Sequence, residues 1–254
     1  MKKYELTEET KVIGGKTLFR IRALRSFGGI KAGDLGGFIE NERNLSHGGN
    51  AWVGGNAEVY GNAQVVGYAQ VGGNAQVGGN AQVNGYAQVG GNAWVEDNAQ
   101  VGGNARVSGD AWVNGDARVN GDAWVEDNAR VDGDAWVGGY ARVNGDAQVV
   151  GDARVDGNAQ VGGDAWVGGN ARVGGDGLIN SNNDYLCEQG LGSRNRSASF
   201  FKCKDGHIHV LCGCFSGNLD EFENKVKKEH GNSKYAKEYL GFIEVVKTHF
   251  EVRQ

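Results

Sequence analysis

Val71-Gly72-Gly73-Asn74-Ala75-Gln76-Val77-Gly78-Gly79-Asn80-Ala81-Gln82-Val83 is two periods of one six-residue pattern. Working outward from it, a valine falls at every sixth position from Val53 to Val173. That makes 21 consecutive hexads of the form Val-x-Gly-Asn/Asp-Ala-x, with tyrosine sometimes in the Asn/Asp place. Self-similarity at a fixed period is the mark of stacked repeats. In a short strand reading Asn-Ala-Gln-Val, alanine and valine stand two apart and point to one side, while the residue between them points to the other. Alanine and valine therefore build an interior. The glycine at the next corner permits backbone angles closed to residues with a β-carbon, so the chain turns every six residues.

A second period sets the size of the coil. Tyr68, Tyr86 and Tyr140 replace Asn/Asp at separations that are multiples of 18, and Trp94, Trp112 and Trp166 take the outward position at the same separations. Three hexads per coil make a triangular prism, and about seven coils at the inter-strand spacing of about 4.8 Å give a rod of roughly 34 Å. Burying each valine is worth about 1.5–3 kcal/mol before chain entropy is subtracted, enough for the rod to hold together. The period also explains the composition: 45 glycines, no proline and 39% hydrophobic residues would otherwise suggest a low-complexity segment.

The Val-Gly-Gly-Asn-Ala-Gln hexad resembles the hexapeptide repeat of left-handed β-helices, and the left hand expected here comes from that resemblance. Leu18-Phe19-Arg20-Ile21-Arg22-Ala23-Leu24, Gly33-Asp34-Leu35-Gly36-Gly37-Phe38-Ile39-Glu40 and Asn44-Leu45-Ser46 resemble the N-terminal cap of a bacterial and prophage family labelled polymer-forming or transferase-like. Gly192-Ser193-Arg194-Asn195, Cys212-Gly213-Cys214-Phe215 and His230-Gly231 resemble a phage-associated module of unknown function.

The expected architecture is mainly β, a left-handed parallel β-helix of about seven 18-residue coils with a small C-terminal α+β domain. Residues 1–47 form an N-terminal β cap with a turn at Ser26-Phe27-Gly28-Gly29, and His47 aligns with the valine place of a degenerate first hexad. Residues 48–179 are the β-helix, and 180–254 a domain of one β-hairpin and two helices. Ser197–Cys203 and His207–Phe215 read as the hairpin, around an Asp205-Gly206 turn. Asn218 with Glu221 reads as the cap of a helix burying Leu219, Phe222 and Val226. A second helix from Ser233 to Phe250 carries Tyr239, Phe242, Val246 and Phe250 on its buried stripe.

Charge is unevenly spread. Residues 48–177 hold six arginines against fifteen carboxylates, which argues against direct nucleic-acid binding and leaves open an acidic rod that imitates DNA. No apolar run suits a membrane span and no signal peptide leads the chain, so the expectation is a soluble cytoplasmic protein, in a host cytoplasm if phage-encoded. All four cysteines follow position 186 and cannot staple the repeats.

Resemblance to hexapeptide β-helix enzymes raises acyl transfer, but the regular hexads contain no histidine or cysteine and one serine, Ser108, so a general base on the rod is hard to find. A transferase site would have to lie between the rod and the C-terminal domain or between subunits. Arg194, Asn195 and Arg196, with His230 between the helices, are candidate ligands for a phosphate or carboxylate, because guanidinium forks suit planar anions. Cys203, His207, Cys212 and Cys214, with His209 nearby, form an alternative metal set, although alternation along a strand faces His207 and His209 away from Cys212 and Cys214. No cofactor is expected. Stacked Asp116, Asp134 and Asp152 repel one another unless arginines or cations lie beside them.

Six outward indoles need an explanation, and large aromatics with arginine are typical of interfaces. Trp94, Trp112, Trp166 and Arg130 are the candidate oligomer interface, with a trimer favoured. Stacking within the rod is the competing account. The function expected is a non-enzymatic binding or assembly scaffold that displays its C-terminal domains to a host protein or a small anionic ligand.

Overall fold

The architecture comes from a computed structural model, in which the described residues are 2–251. Each hexad contributes a two-residue strand made of its outward residue and its valine. These strands, β4 to β25, run at six-residue spacing from Trp52–Val53 to Leu178–Ile179. All but the last three pair in parallel with the strand 18 residues on, so that Trp94 stands opposite Trp112 and Val95 opposite Val113. The Trp94 N–H donates to the Ala111 carbonyl at 2.9 Å. Every repeat valine and alanine is buried, none more than 2% exposed. The result is a three-faced parallel β-solenoid.

The solenoid has about eight turns, one more than the valine count implies. In the first turn Ile39 and Leu45 take valine places, Ile39 pairing with Val59 and Leu45 with Val65. The register therefore slips by two residues between Leu45 and Val53. His47 is displaced from the interior, stacks on Tyr4 at 4.3 Å and accepts from the Lys3 N–H at 3.2 Å.

Two rules govern the corners. Gly91, at φ +65°, shows why glycine recurs: a β-carbon there would lie 2.7 Å from the Gly109 carbonyl oxygen of the next turn. Asp97 and Asp127 take the glycine place in two different corner columns at φ +57° and +58°, and their carboxylates accept from the N–H of Gly115 and Gly145 one turn on. Beside them run amide ladders, in which Asn56 donates to Asn74, Asn74 to Asn92 and Asn92 to Asp110. An amide both donates and accepts, whereas a carboxylate only accepts. Aspartate therefore ends such a ladder and asparagine extends it.

At the N-terminal end β1 (Tyr4–Ile13) and β2 (Lys16–Ala23) form an antiparallel hairpin, and β3 (Leu35–Ile39) links β2 to the first solenoid sheet. A turn at Gly28-Gly29 brings the Phe27 ring edge-on to Trp52, 5.5 Å between centroids. Trp52 is only 4% exposed, so it is not a solvent-facing indole: the cap covers it. The buried Lys3 ammonium donates to the Ala51 carbonyl at 2.7 Å.

The C-terminal domain holds more sheet than one hairpin. β26 (Tyr185–Leu191), β27 (Arg196–Lys202), β28 (Ile208–Cys212) and β29 (Phe215–Asn218) form an antiparallel sheet in sequence order, followed by α1 (Leu219–His230) and α2 (Lys234–His249). The expected long second strand is broken by a turn at Gly213, φ +60°, which leaves Cys212 buried and Cys214 exposed. Asn218 and Glu221 form the expected reciprocal helix cap. On α2 the buried residues are Ala236, Tyr239, Ile243 and Val246, with Phe242 and Phe250 half-buried at the edge.

The sheet is apolar on both faces. Phe201 and Cys203 join the solenoid interior, while Ala198, Phe200, Val210 and Cys212 pack on the helices. Alternation along β27 thus lets one strand serve two cores, and it closes the open solenoid end that would otherwise recruit other strands. The seam is hydrogen-bonded, Arg172 N–H to Ser199 Oγ at 2.8 Å and Lys204 N–H to the Asp176 carbonyl at 3.1 Å. No helix among the described residues is long and apolar enough to cross a membrane.

Candidate ligand-binding site

One solenoid face carries the outward column Arg118, Trp136, Arg154, Arg172, each directly opposite the next. The corner column beside it reads Asp116, Asp134, Asp152, Asn170 at the same period. Asp116, Arg118, Asp134, Trp136, Asp152 and Arg154 line one continuous open groove, so arginines stand beside the stacked aspartates. At the last turn this balance fails. Asn170 replaces the fourth carboxylate, and the C-terminal domain adds Arg196 from the start of β27. Arg154, Arg172 and Arg196 then share an open groove of about 490 Å³ with Asp152, Asn170 and Ser197. Three guanidinium groups face one carboxylate there, in a repeat region that is otherwise acidic. Such a local reversal concentrates anions.

Arg196 is held in place by the turn it crosses. A β-carbon on Gly213 would lie 1.9 Å from Arg196 Nη1. Arg196 also lines a second, smaller cavity of about 90 Å³ together with His230, Cys212, Phe222 and Tyr239. His230 stacks on Tyr239 at 5.6 Å, and burial, with Cys212 next, raises the Tyr239 phenol to about 12. The structure thus brings Arg196 and His230 to one cavity. Arg194 and Asn195 lie in the exposed turn between β26 and β27, Asn195 at φ +45°, and line neither space. Sequence reasoning did not select Arg154 and Arg172. The legible signal was the aspartate column that ends in Asn170 beside an arginine column that continues.

The thiols and imidazoles sort by sheet face. Cys203, His207 and His209 can each bring one ligand atom within 4.8 Å of the others. Cys212 faces the helices and Cys214 the turn, apart from that set. Burial, then the Asp205 and Asp176 carboxylates, pushes the Cys203 thiol up to about 11. Burial, then His207, holds the His209 imidazole below its ordinary value.

The indoles are stacked within the chain. Trp94 and Trp112 lie parallel, 5.1 Å apart and within 3°, and the Arg130 guanidinium covers Trp112 at 5.2 Å. Arg106 and Arg142 sandwich Trp124 at 4.9 and 4.8 Å. Trp166 stands three turns beyond Trp112, 56% exposed, with its carbonyl accepting from the Tyr185 hydroxyl at 2.6 Å.

A family model described as the YdcK beta solenoid repeat matches residues 87–103 and 99–115. No curated protein matches the chain. Among solved structures, a presumed acetyltransferase of Bacillus cereus is similar at 10% identity and a TM-score of 0.30, over 70% of this chain and 87% of that one. The short stretch of the chain that the family model covers is similar to a repeat unit, in agreement with the solenoid described above.

Proposed function

We propose that the protein is a binding scaffold that captures a small molecule bearing phosphate or carboxylate groups in the groove where the last solenoid turn meets the C-terminal sheet. The supporting observation is the convergence of Arg154, Arg172 and Arg196 against the single carboxylate of Asp152. Guanidinium forks pair with such anions through two parallel hydrogen bonds. The lining residues include no histidine or cysteine to serve as base or nucleophile, and on that ground binding is favoured over catalysis.

Titration calorimetry of the full chain with pyrophosphate and with citrate tests the reading. One of these anions binds with one site per chain. Hydrogen bonds to charged groups are worth about 1.5–3 kcal/mol, so Arg172→Ala and Arg196→Ala each weaken binding roughly 10- to 100-fold, while Asp152→Asn tightens it. Equal weak binding by the native chain and both arginine variants overturns the proposal.

The same reading takes the rod as an assembly element whose occupant is a second copy of this chain. Trp112 and Trp166 on one face, and the corner tyrosines Tyr68, Tyr86 and Tyr140, remain exposed. Light scattering coupled to size exclusion returns a trimer for the native chain and a smaller species for Trp94→Ala, Trp112→Ala, Trp166→Ala. A native monomer sinks this part without touching the groove.

A further inference from the structure

Asp205 and Gly206 form the turn between β27 and β28, and the turn sets three potential ligands around one point. Cys203 N–H donates to the His207 carbonyl at 2.9 Å, closing the turn, and His209 follows on the same sheet face two residues later. Cys203 is buried against the solenoid end, whereas His207 and His209 are half-exposed. Cysteine and histidine together are the donor set of a borderline-soft divalent ion.

The outer nitrogens of both rings already have oxygen partners. His207 Nδ1 lies 2.5 Å from the Asp205 carboxylate, and His209 Nε2 lies 2.9 Å from Ser216 Oγ. A carboxylate only accepts, so His207 Nδ1 carries a proton, and in the neutral ring Nε2 offers a lone pair. That Nε2 faces His209 Nδ1 at 3.4 Å. When Ser216 accepts from His209, the two ring lone pairs face each other beside the Cys203 sulfur, a repulsive arrangement that a cation relieves; when Ser216 donates, the two rings are hydrogen-bonded to each other instead. A carboxylate or hydroxyl on the far nitrogen of each histidine is the usual outer support of a metal-bound imidazole.

The geometry points to a zinc-class metal site formed by Cys203, His207 and His209, oriented by Asp205 and Ser216. Its fourth position is open to water. All three ligands lie on the β27–β28 hairpin of the C-terminal sheet, so metal binding fastens the turn that packs on the solenoid end through Cys203. The site is separate from the arginine groove, and its failure leaves the anion proposal standing.

The test uses the full chain, stripped with chelator and titrated with zinc, and separately loaded with cobalt(II) for absorption spectroscopy. One ion binds per chain, cobalt gives a near-ultraviolet thiolate-to-metal charge-transfer band, and zinc raises the midpoint of thermal unfolding. Cys203→Ser removes the band. His207→Gln, a change at a half-exposed residue that leaves the core intact, weakens binding at least tenfold, and Asp205→Asn weakens it roughly 10- to 100-fold. Cys212→Ser and Cys214→Ser keep band and stoichiometry. Three results overturn the site: no binding above that of the His207→Gln chain, cobalt bound without a thiolate band, or nitrogen-15 spectra showing His207 and His209 still bonded directly to each other in excess zinc.

Discussion

Arg196 lies across Gly213, and the two residues are matched: the missing β-carbon would stand 1.9 Å from the guanidinium nitrogen. The turn between β28 and β29 thereby sets the direction in which Arg196 enters the anion groove. Gly213→Ala displaces that side chain and also strains a backbone at φ +60°, worth about 1–3 kcal/mol. The expected outcome is pyrophosphate or citrate binding at least tenfold weaker, with a folded chain by circular dichroism. Unchanged affinity would show that the groove does not depend on this contact.

Corner glycines differ in what they tolerate. Gly91→Ala places a β-carbon 2.7 Å from the Gly109 oxygen at φ +65°, whereas Gly72→Ala meets nothing within 4 Å at an ordinary φ. Urea unfolding separates them: Gly91→Ala loses about 1–3 kcal/mol or more, and Gly72→Ala stays within about 0.5 kcal/mol of native.

Lys3 makes stability depend on pH. Burial, and after it Arg25, pulls its ammonium from 10.5 down to about 8. Between those values the unfolded chain holds more protons than the folded one, so this group's contribution to stability rises with pH across the window. The full rise is on the order of 3 kcal/mol. The Cys203 thiol, raised to about 11, works in the opposite direction from pH 9 upward in every variant and cancels in a comparison. Unfolding free energies at pH 7.5 and 10 rise less, or fall, in Lys3→Met relative to native. Parallel pH profiles would refute the assignment.

Asn128 interrupts a corner column between Asp110 and Asp146, donating to Asp146 at 2.9 Å. Asn128→Asp removes that donor and stacks like charges about 4.8 Å apart. A loss of roughly 1–2 kcal/mol is expected at low ionic strength, shrinking in 1 M salt where screening acts within about 3 Å. A salt-independent loss would assign the effect to the hydrogen bond alone.

The sequence by itself determined the rod. Valine and alanine alternate with an outward residue at a period of six, columns repeat at 18, and a strand of two residues has no freedom to place them elsewhere. Local sterics and burial act within each hexad, so the pattern is complete on the page. The helix cap at Asn218 was legible for the same reason. Tertiary structure alone decided which residues meet across turns and domains. Leu45 displaced His47 because the register slips before Val53, and Trp52 is covered because the cap folds over it. Arg154 and Arg172 meet Arg196 only because β27 docks on the solenoid end. These contacts join residues far apart in sequence, and no local periodicity records them.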